Sequence, residues 1–218
     1  LQRAAEAART DPQTGVDRME PRWREVWSRL EFANDDYIRT TEPRHEQAVT
    51  KLLEAVRDNG RDDIYLGVYE GLYCVSCELY YTEDELVNGL CPIHETPVER
   101  VTQENYFFRL SAYSDRLLEH YERQPSRVEP EARRNEVLSL IRGGLLDFSI
   151  SRTNFDWGIP LPWDPEHVCY VWFDALTNYV TAAGYGSDEA RFGAVWPANI
   201  HMIGKDILRQ HAIYWPAM

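Results

Sequence analysis

Residues 167–180 read HVCYVWFDALTNYV and join two patterns in one short stretch. From His167 to Phe173 the side chains form a nearly unbroken apolar run, which is typical of a β-strand covered on both faces. Apolar side chains then recur at three- and four-residue steps as far as Val180, which predicts a helix. A strand followed directly by a helix is the building unit of α/β domains.

A second unit of the same kind follows toward the end of the chain. The apolar residues 200–203 predict a strand, Gly204 a turn, and the residues after it a helix that ends near Met218. Residues 151–218 are therefore expected to form an α/β region. We find no internal repeat and no low-complexity stretch in the sequence.

Residues 1–63 are predicted to be mainly helical. Pro21 lies inside the first apolar stripe, so a kink or a late helix start is expected there. A short strand is predicted at 36–40, followed by a helix that begins near Pro43 and ends at Gly60. The first stripe consists of apolar residues at helical spacing, namely Val16, Met19, Trp23, Val26, Trp27 and Leu30.

Residues 64–150 differ in composition from both flanks. Between 64 and 113, aromatic and β-branched residues cluster in short runs separated by turn residues, which predicts small antiparallel strands. Two helices are predicted next, one around 113–121 and one from Pro130 to Gly143. A helical start, a β-rich middle and an α/β end suggest that 64–150 is an insertion interrupting an α/β domain.

The composition excludes several classes of protein. The chain has 218 residues, 44% of them hydrophobic and 27% charged, as expected for a folded protein with one large domain or two small ones. No apolar run approaches the length of roughly 18 residues that a membrane-spanning helix needs. The net charge of −13 disfavours non-specific binding to a phosphate backbone. The main contact with any nucleic acid is therefore expected outside this region.

Four residues have the spacing of a metal site. Cys74 and Cys77 are separated by two residues, Cys91 and His94 by two more, and thirteen residues lie between the pairs. Thiolate and imidazole ligands on two tight turns are typical of structural zinc, and a closed set of four leaves no position for a reactive water. This spacing also favours a reducing compartment over a disulfide framework. The alternative is that these are unrelated core residues, as we expect for Cys169.

Two sets of residues could form a pocket. Trp172, Ala175 and Tyr179 follow the end of the first predicted strand, while Ile207, His211 and Trp215 share one face of the last predicted helix. Ligands in α/β sheets bind at the carboxyl ends of strands. Aromatic walls, a small alanine and one imidazole would suit a compact apolar side chain. Spacing alone, however, favours the interpretation that all six are core residues.

Several literal strings favour the pocket over the core interpretation. The sequence resembles the methionyl-tRNA synthetases, a family of class I aminoacyl-tRNA synthetases, and the order and spacing of the strings agree over essentially the whole chain. The strings are YEGLYC at 69–74, ENYFF at 104–108, RRNEV at 133–137, SRT at 151–153, YVWFDAL at 170–176 and HMIGKDI at 201–207.

The resemblance implies a Rossmann-type nucleotide-binding domain interrupted by a connective-peptide insertion that carries structural zinc. It implies that Arg152 lies near the polar end of the amino acid, and that Gly204 and Asp206 lie at the adenosine of ATP, which binds as its magnesium complex. Gln210 replaces an aromatic residue expected from the family, and Leu176 stands where some members have proline. The implied pocket for the methionine side chain consists of Trp172, Ala175, Tyr179, Ile207, His211 and Trp215.

The resemblance also implies what this sequence lacks. The His-Ile-Gly-His-type and Lys-Met-Ser-Lys-Ser-type signatures of class I synthetases do not occur in it. We therefore expect a fragment of a methionine–tRNA ligase that contains no catalytic residue and does not aminoacylate by itself. Contacts with tRNA(Met) are expected mainly in other regions, and the location in the cytosol or an organelle matrix. The alternative is a non-enzymatic zinc-ribbon module that binds protein or RNA, which would explain 74–94 only.

Overall fold

The computed structural model describes residues 2–76, 79–153 and 157–218, which form helices packed around two antiparallel sheets. The helices are α1 Gln2–Ala7, α2 Pro12–Arg29, α3 Pro43–Arg57, α4 Ser114–Arg123, α5 Glu131–Arg142, α6 Val171–Ala183, α7 Glu189–Val195 and α8 Trp215–Ala217. The strands are β1 Ile64–Cys74, β2 Leu79–Tyr81, β3 Glu99–Phe108, β4 Phe148–Ser149, β5 Ser151–Arg152, β6 Pro160–Leu161 and β7 Asp164–Cys169.

The first long helix, α2, begins nine residues before Pro21, and none of its residues is buried. Asp11 caps it by accepting a hydrogen bond from the backbone N–H of Thr14 at 2.8 Å, and the helix continues through Pro21, so the predicted late start is wrong. Met19 and Trp23 of its apolar stripe are 49% and 52% exposed. In the described part of the chain, therefore, this stripe does not contribute to the core.

The strand predicted at 36–40 is absent, and side-chain contacts hold this segment instead. Asp36 accepts hydrogen bonds from Arg44 at 2.8 and 2.9 Å, and the Arg39 backbone N–H donates to Glu42 at 3.1 Å. Without a neighbouring strand to complete its backbone hydrogen bonds, the segment has no reason to form a ladder. Helix α3 follows as predicted, although it ends three residues before Gly60.

The predicted antiparallel strands are confirmed, but two of them are long rather than short. Strand β1 pairs with β3 from Ile64 opposite Phe108 to Tyr73 opposite Glu99, and the sheet order is β2-β1-β3-β4. This hairpin is attached to the second sheet around Ile150, whose N–H donates to the Tyr106 carbonyl at 2.8 Å and whose carbonyl accepts from Tyr170 at 2.7 Å.

From residue 151 onward, the described strands differ from the predicted ones. Strand β7 ends at Cys169 in a sheet of order β5-β7-β6, and α6 begins at Val171. The Tyr170 carbonyl accepts from the N–H groups of Phe173 and Asp174, so the end of the predicted strand is the first helical turn. No strand forms at 200–203, because no described strand pairs with it. The two strand predictions are wrong at these points.

One core connects most of these elements. Its fully buried side chains come from α3, from the base of the hairpin, and from the elements that follow residue 150, and α4 and α5 contribute further members. At the far end of the hairpin, Cys74, Tyr81 and Cys91 form a second, much smaller cluster. Among the described residues, no helix is both long and apolar enough to cross a membrane. Fully buried members of the main core include Leu53, Phe108, Ile150, Phe173 and Ile213.

Two glycines provide a matched test of this fold. Gly184 ends α6 with a φ of 109°, and a Cβ there would lie 2.5 Å from the carbonyl oxygen of Asp188. We expect Gly184→Ala to lower the free energy of unfolding by about 3 kcal/mol, because it combines backbone strain with a clash. In Gly193→Ala, the new Cβ meets no atom within 4 Å. Because alanine favours a helix more than glycine does, this variant should raise the free energy of unfolding by about 0.5–1 kcal/mol. Urea unfolding of both variants checks this, and equal effects would contradict it.

Candidate functional site

Three of the six predicted pocket residues lie together where α6 meets the last helical segment, which comprises residues 205–217. They are Tyr179, His211 and Trp215. Tyr179 on α6 makes a 2.5 Å hydrogen bond with Nε2 of His211, and its ring centroid lies 6.1 Å from that of Trp215. Nδ1 of His211 lies 2.8 Å from the carbonyl oxygen of Ile207. Because a carbonyl only accepts, Nδ1 carries the hydrogen, and Nε2 accepts from the Tyr179 hydroxyl.

The burial of these groups keeps them uncharged. Burial lowers the pKa of His211 below its ordinary value, although the contact with the Ile207 carbonyl acts in the opposite direction. Burial also raises the pKa of Tyr179. Near neutral pH, the pair is thus a neutral phenol donating to a neutral imidazole.

A wide helical turn positions His211 and Trp215. The segment begins with a tight turn over Lys205–Ile207, widens to a π-helical turn over Gln210–Tyr214, and continues as α8. π-Helical turns inside helices often occur at functional sites. The predicted helix is therefore confirmed in place, although not as a regular α-helix.

Two more aromatic side chains complete this cluster, and the sequence reasoning missed both. The ring of His201 lies 4.4 Å from that of Tyr179, and the ring of Trp196 lies 6.1 Å from His201 and 5.9 Å from Trp215. Burial and the neighbouring His211 lower the pKa of His201. Both residues precede Gly204 on an irregular segment, where no periodicity could indicate their direction. We call Tyr179, Trp196, His201, His211 and Trp215 the aromatic cluster.

Trp172 lies at a separate cleft beside the aromatic cluster. The cleft has a volume of about 820 Å³, and Trp172, Tyr170 and Tyr214 line it together with Asp206. Asp206 and Gly204 are exposed. Ala175, one helical turn after Trp172, is partly buried on α6. The predicted methionine wall is therefore divided between the aromatic cluster and this cleft.

Arg152 is buried behind one wall of the cleft. Its Nη1 donates to the Ser149 hydroxyl at 2.8 Å and to the Ser151 carbonyl at 2.6 Å. The guanidinium carbon lies 3.8 Å from the ring centroid of Tyr170, which itself lines the cleft. A cation thus stacks on an aromatic side chain that faces the cleft.

At the far end of the hairpin, three of the four predicted metal ligands converge. The ligand atoms of Cys74, Cys91 and His94 lie within 4.8 Å of one another, with Cys91 Sγ 3.9 Å from His94 Nδ1. Cys77 lies outside the described residues. Burial acts to raise the pKa of the Cys91 thiol, but hydrogen bonds from the His94 backbone and the Tyr81 hydroxyl outweigh it and lower the pKa to about 6. Two thiols and an imidazole at this separation fit the ligand chemistry of zinc.

Comparison with known proteins covers the whole chain. The family described as tRNA synthetases class I (M) matches residues 1–103 and 88–218. The methionine–tRNA ligase of Streptomyces coelicolor is 51% identical over 227 residues, which cover 100% of this chain and 42% of the relative. The methionine–tRNA ligase of Thermotoga maritima is 48% identical over 219 residues, which cover 99% of this chain and 34% of the relative.

Solved structures agree with these sequence matches. The crystal structure of Mycobacterium tuberculosis methionyl-tRNA synthetase bound by methionyl-adenylate matches with a TM-score of 0.94 and 46% identity, over 100% of this chain and 44% of that one. The free-state structure of the same synthetase matches with a TM-score of 0.84 over 93% of this chain. The chain spans less than half the length of the relatives that it matches.

The protonation of His211 can be tested directly. Because its folded pKa lies below the unfolded value of about 6.5, the neutral ring stabilises the fold above pH 6.5, and this contribution falls as the pH drops toward the folded pKa. NMR titration should give a His211 pKa below 6.5. The unfolding free energy should decrease less steeply between pH 6.5 and 5 in His211→Gln than in the unmodified chain. An ordinary or raised pKa would contradict this description.

Proposed function

The chain belongs to the methionine-type class I tRNA synthetases, and from that premise we propose that it forms part of the catalytic region of a methionine–tRNA ligase. The complete enzyme activates methionine with ATP to give methionyl-adenylate and transfers the amino acid to tRNA(Met). The observation that carries the proposal is the aromatic cluster next to a cleft, in a chain that matches a methionyl-adenylate complex over its whole length. A stand-alone zinc ribbon would account for 74–94 only.

The aromatic cluster is proposed to bind the methionine side chain. Tyr179, Trp196 and Trp215 supply apolar, polarisable surface, which suits a flexible thioether. The Tyr179 hydroxyl and His211 Nε2 already satisfy each other, so neither needs a polar partner from the ligand. Shape rather than hydrogen bonding would thus discriminate methionine from other amino acids. Ile207 and Ala175 belong to the same proposed pocket.

The cleft is proposed to hold the rest of the adenylate. Trp172 and Tyr170 give it aromatic walls, and Asp206 can accept hydrogen bonds from ribose hydroxyls. Gly204, which precedes Asp206, has no side chain to block the approach of a nucleoside. Arg152 would act on the polar end of the amino acid through the positive charge that it places behind Tyr170.

The chain's own contribution to catalysis is therefore binding and orientation. The aromatic cluster and the cleft would fix methionine and ATP at a reactive separation and exclude water from between them, which can supply a large part of a rate enhancement. The groups that stabilise phosphate charge belong to the two class I signatures, which do not occur in this sequence. ATP would enter as its magnesium complex. The cytosol or an organelle matrix fits the reduced thiols that the metal site requires.

The hairpin is proposed to carry one structural zinc ion. Cys74, Cys91 and His94 supply three ligands, and Cys77 is the proposed fourth. When bound, the ion stabilises the folded hairpin, because such a site does not exist in the unfolded chain. It has no part in the reaction.

Elemental analysis of protein purified without chelator should find about one zinc per chain. Cys91→Ser should lower the zinc content to near zero and destabilise the hairpin. Cys169→Ala removes a buried thiol from the main core, and it should keep its zinc. A folded, unmodified chain without zinc, or equal loss in both variants, would refute the proposed site.

The division between the pocket and the cleft can be tested by kinetics in the complete enzyme. Trp215→Ala should lower kcat/KM for methionine in ATP–pyrophosphate exchange. The loss of transition-state stabilisation should be about 2–4 kcal/mol, as expected when a large aromatic side chain is removed. The KM for ATP should change much less. Asp206→Ala should show the opposite pattern, with the larger effect on ATP. If both variants impaired both substrates equally, the assignment would fail.

A further inference from the structure

His45 on α3 is fully buried and lies against two side chains of α6. Its Nε2 is 2.5 Å from Oδ1 of Asp174, and its Nδ1 is 3.0 Å from Oγ1 of Thr181. The Asp174 side chain is 22% exposed and lies in the first turn of α6, between Trp172 and Ala175. Nothing in the proposed chemistry uses His45.

The contacts of His45 reach two points on α6. An ionised Asp174 only accepts, so Nε2 of His45 carries the hydrogen that joins the two side chains. With Nε2 as the donor, Nδ1 is available to accept from the Thr181 hydroxyl, whose oxygen also lies 2.9 Å from the Thr177 carbonyl.

Asp174 and Thr181 are seven residues apart and lie on the same face of α6. Contacts at two points along one face restrict rotation of the helix about its axis, and that rotation sets the direction of Ala175 and Tyr179, the two α6 residues of the proposed methionine pocket. We infer that His45, through its contacts with Asp174 and Thr181, is a positioning residue that holds α6 in the orientation required by the methionine site. This role rests on the proposed function.

The two contacts are tested by NMR of the chain with ¹⁵N-labelled histidine, with the His45 signals assigned by their loss in His45→Gln. The shifts of the unmodified chain should show a hydrogen on Nε2, which donates to Asp174. Asp174→Asn and Thr181→Val should each change the His45 signals, because each removes one partner of the ring. Unchanged His45 signals in both variants would overturn the inference.

The positioning role is tested by exchange kinetics in the complete enzyme. His45→Gln should raise the KM for methionine about tenfold, which corresponds to about 1.4 kcal/mol, with little change in the KM for ATP. The matched control is Val49→Ala, one helical turn along α3, which truncates another fully buried side chain without touching Asp174. It should lower Tm but leave the KM for methionine unchanged.

The outcomes separate this role from a general loss of stability. Equal effects of His45→Gln and Val49→Ala on the KM for methionine, or no effect of His45→Gln, would overturn the positioning role. If the unmodified enzyme lacked methionine-dependent exchange, the proposed function would fail, and the positioning role would fail with it. The NMR result would still report the contacts of His45 with α6.

Discussion

Burial of Phe173 in the main core links the two halves of the proposed site. Phe173 is in the first turn of α6 and shares the core with Leu208 and Ile213 of the last helical segment. The packing of these apolar surfaces holds the two segments face to face, and burying a large side chain stabilises a fold by about 1.5–3 kcal/mol. The Tyr179–His211 contact follows from that arrangement. The aromatic cluster therefore depends on the packing of Phe173, Leu208 and Ile213, which are not members of it.

The hairpin is attached to this core but is not stabilised by it at its far end. Phe108 and Ile150 are fully buried at its base. At the other end, the described residues contribute only Cys74, Tyr81 and Cys91 to a small buried cluster. So few buried side chains cannot hold a folded unit by the hydrophobic effect alone. A metal ion bound to the same cysteines would supply the missing stability, which is a physical reason for a zinc site here.

The periodicity of apolar residues predicts the helices, because the hydrogen bonds of a helix join residues that are close in sequence. Helix α3, helices α4 and α5, and α6 follow from periodicity and from their terminal residues. The strand prediction at 200–203 is wrong, because a strand also needs a neighbouring strand to pair with. The strand prediction at Val171–Phe173 is wrong for another reason, since a short apolar run does not distinguish a strand from a first helical turn. The sequence could not show the π-helical turn at Gln210–Tyr214.

The site shows the same division between local and long-range information. The partnership of Tyr179 with His211 and Trp215 agrees with their helical spacing, whereas Trp196 and His201 come from an irregular segment and could not be placed. The central claim is that methionine lies in the aromatic cluster. Photo-cross-linking of the complete enzyme with a methionine analogue that carries a diazirine in its side chain tests this most directly. We expect the label on α6 and on residues 207–215, and excess methionine should abolish it. Methionine-sensitive labelling confined to the β1–β3 hairpin would contradict the account.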